Sequence, residues 1–307
     1  MINRELIRIK TVQLVYAFYM NEKTRFEEGE TELVRSLGTA YDLYNTMLAL
    51  ILAIGRTALK MCEAETMRAK RLGLEAPSRK FVDNRFMLQL EGNRQLQENI
   101  QNMRMDWANE EPFLIRMAEK IEQTDFYSDY MSGKTSTYDE DRELWRMIYR
   151  NLIVGNEEID DILEDVNIYW NDDRHIIDTF VLKTINRFHE DTKDSEPLLP
   201  EFKSMDDLEF AKRLINQALR GADYYRNLIA QSTHNWDVER VPMMDRVILQ
   251  VALAEITSFA TIPVSVSINE YIELAKVYST PNSGRYINAT LDNIAKKLIA
   301  EKKLIKK

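Results

Sequence analysis

Apolar residues recur along this chain every three or four positions and almost nowhere alternate one by one, which is the spacing of amphipathic helices. Residues 4–20 set the pattern, with Leu6, Ile9, Val12, Tyr16 and Tyr19 on one stripe and Arg4, Arg8 and Lys10 near the helix start. After a polar break at 21–32, the apolar-rich run from Leu33 to Met61 predicts one long helix or two in series. Pro77-Ser78 interrupts the periodicity. It resumes over 81–105, rich in Asn, Gln and Arg and so expected to be solvated, and then over 112–131, 140–152, 157–169 and 172–189. The segment 191–204, with Pro197 and Pro200, reads as a loop or linker. Helical spacing restarts over 206–222 and 224–232, and after Trp236 the stretch 241–259 is apolar on most sides, as a buried central helix would be. Ser267-Ile268-Asn269-Glu270 has the Ser-x-x-Glu form of an N-terminal capping box opening a helix to Tyr278. Thr280-Pro281-Asn282-Ser283-Gly284 closes it, and 285–303 gives a last helix with Ile287, Leu291, Ile294 and Leu298 on one face.

Composition sharpens this to an all-α chain: nine glycines and seven prolines in 307 residues are few for strand-and-turn architectures, while 45% hydrophobic residues fill a core. A single cysteine, Cys62, forms no internal disulfide and fits a reducing, cytoplasmic setting. Charges interrupt every apolar run before the roughly 20 residues of a membrane span, so neither anchoring nor targeting is expected. The net charge of −9 argues against nucleic acid in itself, because phosphate binding rests on Lys and Arg. The acidic residues concentrate in the middle, however, at Glu157–Asp165 and Asp172-Asp173. The ends are basic, with Arg4, Arg8 and Lys10 at one and Lys296, Lys297, Lys302, Lys303, Lys306 and Lys307 at the other.

Catalytic constellations are not evident. Asp160-Asp161-Ile162-Leu163-Glu164-Asp165 faintly suggests a divalent-cation cluster, but its carboxylates flank Ile and Leu at helical spacing and read far more simply as a solvated face. His175, His189 and His234 are scattered without a His-Glu-x-x-His or Glu-x-x-His pair, and Cys62 has no local base. No metal, cofactor or enzymatic activity is expected.

Three segments together resemble the NusB family. They are Arg4-Glu5-Leu6-Ile7-Arg8-Ile9-Lys10-Thr11-Val12-Gln13-Leu14-Val15-Tyr16, then Asp245-Arg246-Val247-Ile248-Leu249-Gln250-Val251-Ala252-Leu253-Ala254-Glu255-Ile256, then Ile262-Pro263-Val264-Ser265-Val266-Ser267-Ile268-Asn269-Glu270-Tyr271-Ile272-Glu273-Leu274-Ala275-Lys276. The third continues into Arg285-Tyr286-Ile287-Asn288-Ala289-Thr290-Leu291-Asp292, similar to the family's Phe-Val-Asn-Gly-Val-Leu-Asp ending. The resemblance covers residues 1–20 and 205–298. It implies a compact helical bundle of two antiparallel subdomains. Residues 1–20 would be its first helix, 21–204 a helical insertion in the N-terminal half that can include family helices, and 205–307 the C-terminal part with a basic tail.

The resemblance further implies a transcription antitermination factor that binds boxA-type single-stranded RNA. Its partners would be the small-subunit ribosomal protein acting as NusE and the RNA polymerase antitermination complex, with readthrough in ribosomal RNA operons as the outcome. It places Arg8 and Gln13 on positions matching the family's RNA contacts, beside Arg4 and Lys10 in the first turns as further RNA-binding candidates, with Asn282, Ser283, Arg285 and Tyr286 as a second RNA-facing cluster, and it points to a protein-partner surface around Tyr16, Asp245 and Glu255. Single-stranded RNA recognition needs cations for phosphates and flat groups for bases, which these clusters contain. This chain departs from the family's denser arginine run by carrying Glu5, Leu6 and Ile7. Read from the residues alone, Arg4, Arg8 and Lys10 equally well solvate a helix end, and Tyr16 and Tyr286 fall at core spacing. The other readings are a helical protein-interaction scaffold that has lost RNA binding and an RNA methyltransferase with a NusB-like N-terminal domain. The methyltransferase would need an alternating strand-helix region with a glycine-rich loop, which this chain lacks.

Overall fold

The computed structural model describes residues 1–21, 28–232 and 241–304, so His234, Trp236, Lys306 and Lys307 lie outside the described residues. Fourteen α-helices appear among the described residues: α1 (Arg4–Met20), α2 (Gly29–Leu72), α3 (Arg85–Gly92), α4 (Arg94–Asn102), α5 (Glu111–Glu122), α6 (Asp125–Ser132), α7 (Tyr138–Ile148), α8 (Glu157–Val166), α9 (Trp170–Arg187), α10 (Met205–Arg220), α11 (Ala222–Ser232), α12 (Met243–Ser258), α13 (Val264–Tyr278) and α14 (Ser283–Ala300). Extended pairing among these residues is limited to one isolated parallel bridge between Ile2 and Phe202. The fold is all-α.

Two compact units divide the chain: a middle unit of Thr39–Pro200 together with Met1, and a terminal unit of Ile2–Gly38 and Glu201–Lys307. The boundary at Gly38 falls inside α2. In the middle unit, caps set helix ends that apolar spacing alone does not reveal. The Asn93 side chain accepts the Leu96 amide and starts α4, so the expected continuous helix over 81–105 is two short ones, and its Phe81, Phe86, Leu90 and Leu96 are buried. Thr124 caps α6 in the same way and splits the expected 112–131 helix. Thr137 and Glu140 form a reciprocal capping box at the start of α7. Glu157, Glu158 and Asp160 crowd the first turn of α8, where the helix dipole favours them. Asp160 also accepts from Arg174 at 2.8 Å. Among the described residues, no group of three or more His, Cys, Asp or Glu could hold a metal ion.

In the terminal unit α12 is the hub, touching α1, α10, α11, α13 and α14. Its Val247–Ile256 stretch is buried throughout, Gln250 and Glu255 included. The capping box expected at Ser267–Glu270 is not one. Pro263 precedes the first turn and α13 already runs from Val264, so Ser267 sits inside the helix, with its amide bonded to the Pro263 carbonyl at 3.2 Å. Its hydroxyl and the Glu270 carboxylate are engaged elsewhere. Among the described residues, no helix is long and apolar enough to cross a membrane.

Candidate nucleic-acid interface

Both carboxylates of α12 face inward, and each holds one of the segments expected at RNA. Glu255, near the end of α12, is fully buried and accepts four hydrogen bonds. Arg8 Nε donates to its Oε2 at 2.8 Å and Arg8 Nη2 to its Oε1 at 3.0 Å. Ser267 Oγ donates to Oε1 at 2.8 Å and the Tyr271 hydroxyl to Oε2 at 3.1 Å. The remaining Arg8 nitrogen, Nη1, donates to Glu270 Oε2 at 2.8 Å. Burial works against the Arg8 charge, yet the hydrogen bonds and attraction of Glu255, with Tyr271 and Glu270, leave its pKa raised. Burial, followed by the adjacent Glu255, pushes the Tyr271 phenol far above its ordinary value. Arg8 is thus the buried clamp that fixes α1 on α12 and α13, and Glu255 presents nothing to a partner in this conformation.

Asp245, ten residues earlier on α12, does the same for the turn before α14. It is buried and accepts from Ser279 Oγ at 2.5 Å and Ser283 Oγ at 2.8 Å, while Thr280 Oγ1 lies 2.8 Å from Ser283 Oγ. Ser283 is therefore internal, and it leaves Asn282 and Arg285 exposed on either side of it. Tyr286 is half-buried with its hydroxyl turned inward, and burial raises its pKa. Ten residues of helix put the Glu255 and Asp245 anchor points about 15 Å apart along α12. The two expected clusters are therefore anchored at different points along α12. Lys10 is buried and Gln13 and Tyr16 are half-buried on α1.

The exposed cations around Arg8 stand on an aromatic pair. Phe210 of α10 and Phe259 just after α12 lie 4.8 Å apart between ring centroids. Arg4 sits 5.0 Å over Phe210, with Arg8 at 5.7 Å from the same ring, and Arg213 sits 4.9 Å over Phe259. Arg213 Nη2 also donates to the Ser258 carbonyl, and Arg4 lies 3.7 Å from Asp207. Both Arg4 and Arg213 are exposed. An exposed guanidinium held over a ring is positioned by it while still offering N–H groups to phosphate and its surface to a base. Phe210, Arg213 and Phe259 carried little signal in the sequence, because the pairing joins α10 to a residue more than 40 positions further along the chain. The one local signal was the i, i+3 placement of Phe210 and Arg213 on α10.

Charge is divided between the units. Thr39–Pro200 holds 20 Lys and Arg against 31 Asp and Glu, a net of −11, whereas the rest of the chain holds 21 against 19, a net of +2.

Comparison with known proteins agrees with these motifs. The NusB family model matches residues 174–296. Over 87 residues the chain is 41% identical to a Dictyoglomus thermophilum protein called transcription antitermination protein NusB, covering 28% of this chain and 60% of that one. The protein of the same name from Symbiobacterium thermophilum is 38% identical over 104 residues, covering 34% of this chain and 68% of its own length. That from Natranaerobius thermophilus is 32% identical over 116 residues, covering 37% and 84%. The chain spans less than two thirds of the length of the Dictyoglomus thermophilum relative. A crystal structure of Thermotoga maritima NusB is 31% identical, with 40% of this chain and 78% of that one covered at a TM-score of 0.31. The Symbiobacterium thermophilum and Natranaerobius thermophilus relatives, each more than 30% identical and matched over more than two thirds of their own lengths, show that the chain belongs to the NusB family.

Proposed function

We propose that this protein is a transcription antitermination factor. In this reading it binds boxA-type single-stranded RNA on its terminal unit, together with the small-subunit ribosomal protein acting as NusE, and promotes readthrough in ribosomal RNA operons. The observation that carries the reading is the pair of exposed arginines, Arg4 and Arg213, each laid on a phenylalanine ring. They lie in the unit that is net positive while the rest of the chain is strongly acidic. Stacked guanidinium groups suit unpaired bases, and unpaired bases are the targets of sequence-specific RNA recognition. Asn282 and Arg285 form the second contact, presented by the Asp245-anchored turn. Arg8 acts indirectly by holding the helix that carries Arg4.

The test is fluorescence anisotropy of a labelled boxA-type RNA over a salt series, with and without the cognate ribosomal partner. Salt-sensitive binding that the partner strengthens and that Arg4→Ala and Arg213→Ala weaken is expected. Absence of RNA binding with the partner present overturns the reading and leaves a helical interaction scaffold.

A further inference from the structure

The C-terminal end of α2 is a sharply defined tip. Gly73 takes the left-handed conformation at φ 69°, and the Gly73 and Leu74 amides donate back to the Lys70 and Ala69 carbonyls at 3.4 and 2.9 Å. Around this stop Met67, Leu72 and Leu74 are 60–65% exposed. Arg68, Lys70 and Arg71 stand exposed among them, in none of the ion pairs of the described residues. Cations at a helix C-terminus are favoured by its dipole, but three aliphatic side chains in water beside them mark a contact surface.

A second exposed apolar patch of opposite charge lies on the same unit, at the corner between α8 and α9. Val166, Ile168 and Tyr169 are 41%, 65% and 62% exposed. Asp161, Glu164 and Asp165 are exposed next to them on the last two turns of α8. Trp170, adjoining Tyr169, donates its indole N–H to the Thr39 carbonyl at 3.0 Å, so this corner lies where α2 enters the middle unit. The tip is 33 residues further along the same helix, about 50 Å away at 1.5 Å per residue. The two patches cannot meet within one molecule.

We propose that the α2 tip of one copy docks on the α8–α9 corner of a second copy. The two α2 helices then run antiparallel, and each pair makes the contact twice. Met67, Leu72 and Leu74 meet Val166, Ile168 and Tyr169, while Arg68, Lys70 and Arg71 face Asp161, Glu164 and Asp165. A two-fold axis relates the two contacts, as in most closed homodimers. Charge complementarity selects this occupant for the tip. RNA fits it less well, because residues 60–80 contain no aromatic side chain on which a base could stack. This contact is independent of the RNA-binding reading.

The experiment is sedimentation velocity of the full chain across a concentration series at low and high salt, using two charge-reversed forms. One carries Arg68→Glu, Lys70→Glu and Arg71→Glu; the other carries Asp161→Lys, Glu164→Lys and Asp165→Lys. All six positions are on the surface, and circular dichroism checks that both forms fold. The wild type is expected to associate with rising concentration, less so in high salt, and each reversed form alone to stay monomeric. An equimolar mixture of the two is expected to associate again, because each then offers the other a complementary tip and corner. A wild type that is monomeric throughout, reversed forms that associate like the wild type, or a mixture that stays monomeric would each overturn the proposal. So would a tip reversal that weakens boxA-type RNA binding while leaving association unchanged, which would assign the tip to RNA.

Discussion

Replacing Glu255 by Gln is the sharpest probe of the clamp between α1 and α12. Each Glu255 oxygen takes one Arg8 nitrogen and one hydroxyl, at 2.8 to 3.1 Å. An amide keeps the shape but turns one oxygen into an N–H donor. Whichever way it is flipped, that donor faces an Arg8 N–H, and a guanidinium has no acceptor to offer. Ser267 and Tyr271 adapt by rotating their hydroxyls; Arg8 does not. Breaking a buried ion pair by removing one partner costs roughly 3–5 kcal/mol. Glu270 still neutralises Arg8 from 2.8 Å, which puts the expected loss near the bottom of that range, about 3 kcal/mol. At about 2–4 °C per kcal/mol for a unit of this size, the transition should fall by roughly 10 °C. Urea unfolding followed by circular dichroism measures the loss. Arg8→Met alone and in combination with Glu255→Gln closes the double-mutant cycle, where strong coupling is expected because the two residues touch. A Glu255→Gln protein within about 0.5 kcal/mol of wild type would refute the argument, since surface substitutions that touch nothing fall in that range.

Three further outcomes follow from the same structure. Asp141 is buried, and although burial alone would raise its pKa, hydrogen bonds from Ser136, Arg85 and Tyr130 hold it below the usual carboxylate range. Its folded value lies below its unfolded one, so the stability it contributes is present above the unfolded carboxylate pKa and is lost as pH falls through the folded value. Asp141→Asn should therefore be destabilised at neutral pH, with the gap to wild type closing in acid when unfolding is followed against pH. Thr137→Ala, which removes the capping box of α7, should cost about 1 kcal/mol in denaturant titrations, with Thr137→Ser largely neutral. Asp245→Asn leaves the Ser279 and Ser283 hydroxyls without their charged acceptor and should cost about 2 kcal/mol, read as a lower thermal midpoint, while weakening RNA binding through Asn282 and Arg285.

How much of this was legible in the sequence depended on whether the cause was local. Helical spacing is a property of neighbours in the chain, so the all-helical architecture and the buried α12 followed from it directly. Helix breaks at Asn93 and Thr124 depended on single capping side chains inside apolar runs that continue across them, and the spacing masked them. Ser267 and Glu270 carried a capping signature that is real in form. Its meaning changed because Pro263 starts the helix a turn earlier, and both side chains then serve the Arg8 clamp, Glu270 directly from 262 residues away and Ser267 through Glu255. The Arg4–Phe210 and Arg213–Phe259 stacks were illegible for the same reason. No local pattern says which ring a distant guanidinium covers.

That clamp changes what an RNA-binding experiment on this chain can mean. Arg8 is the arginine that the family resemblance points to most directly, yet its three side-chain nitrogens are already committed to Glu255 and Glu270. Losing RNA affinity on Arg8→Ala would then follow from a displaced α1 as readily as from a lost phosphate contact. Salt dependence separates the two. A side chain that neutralises a phosphate on single-stranded RNA contributes about 0.7 to the slope of log affinity against log salt, whereas a purely structural residue lowers affinity with the slope unchanged. Arg4→Ala and Arg213→Ala should each flatten that slope and leave the thermal midpoint nearly in place. Arg8→Ala should lower the midpoint and weaken binding in parallel at every salt concentration. If Arg8→Ala instead flattens the slope as Arg4→Ala does, its guanidinium leaves Glu270 for the RNA backbone, and the clamp is a resting state that RNA opens.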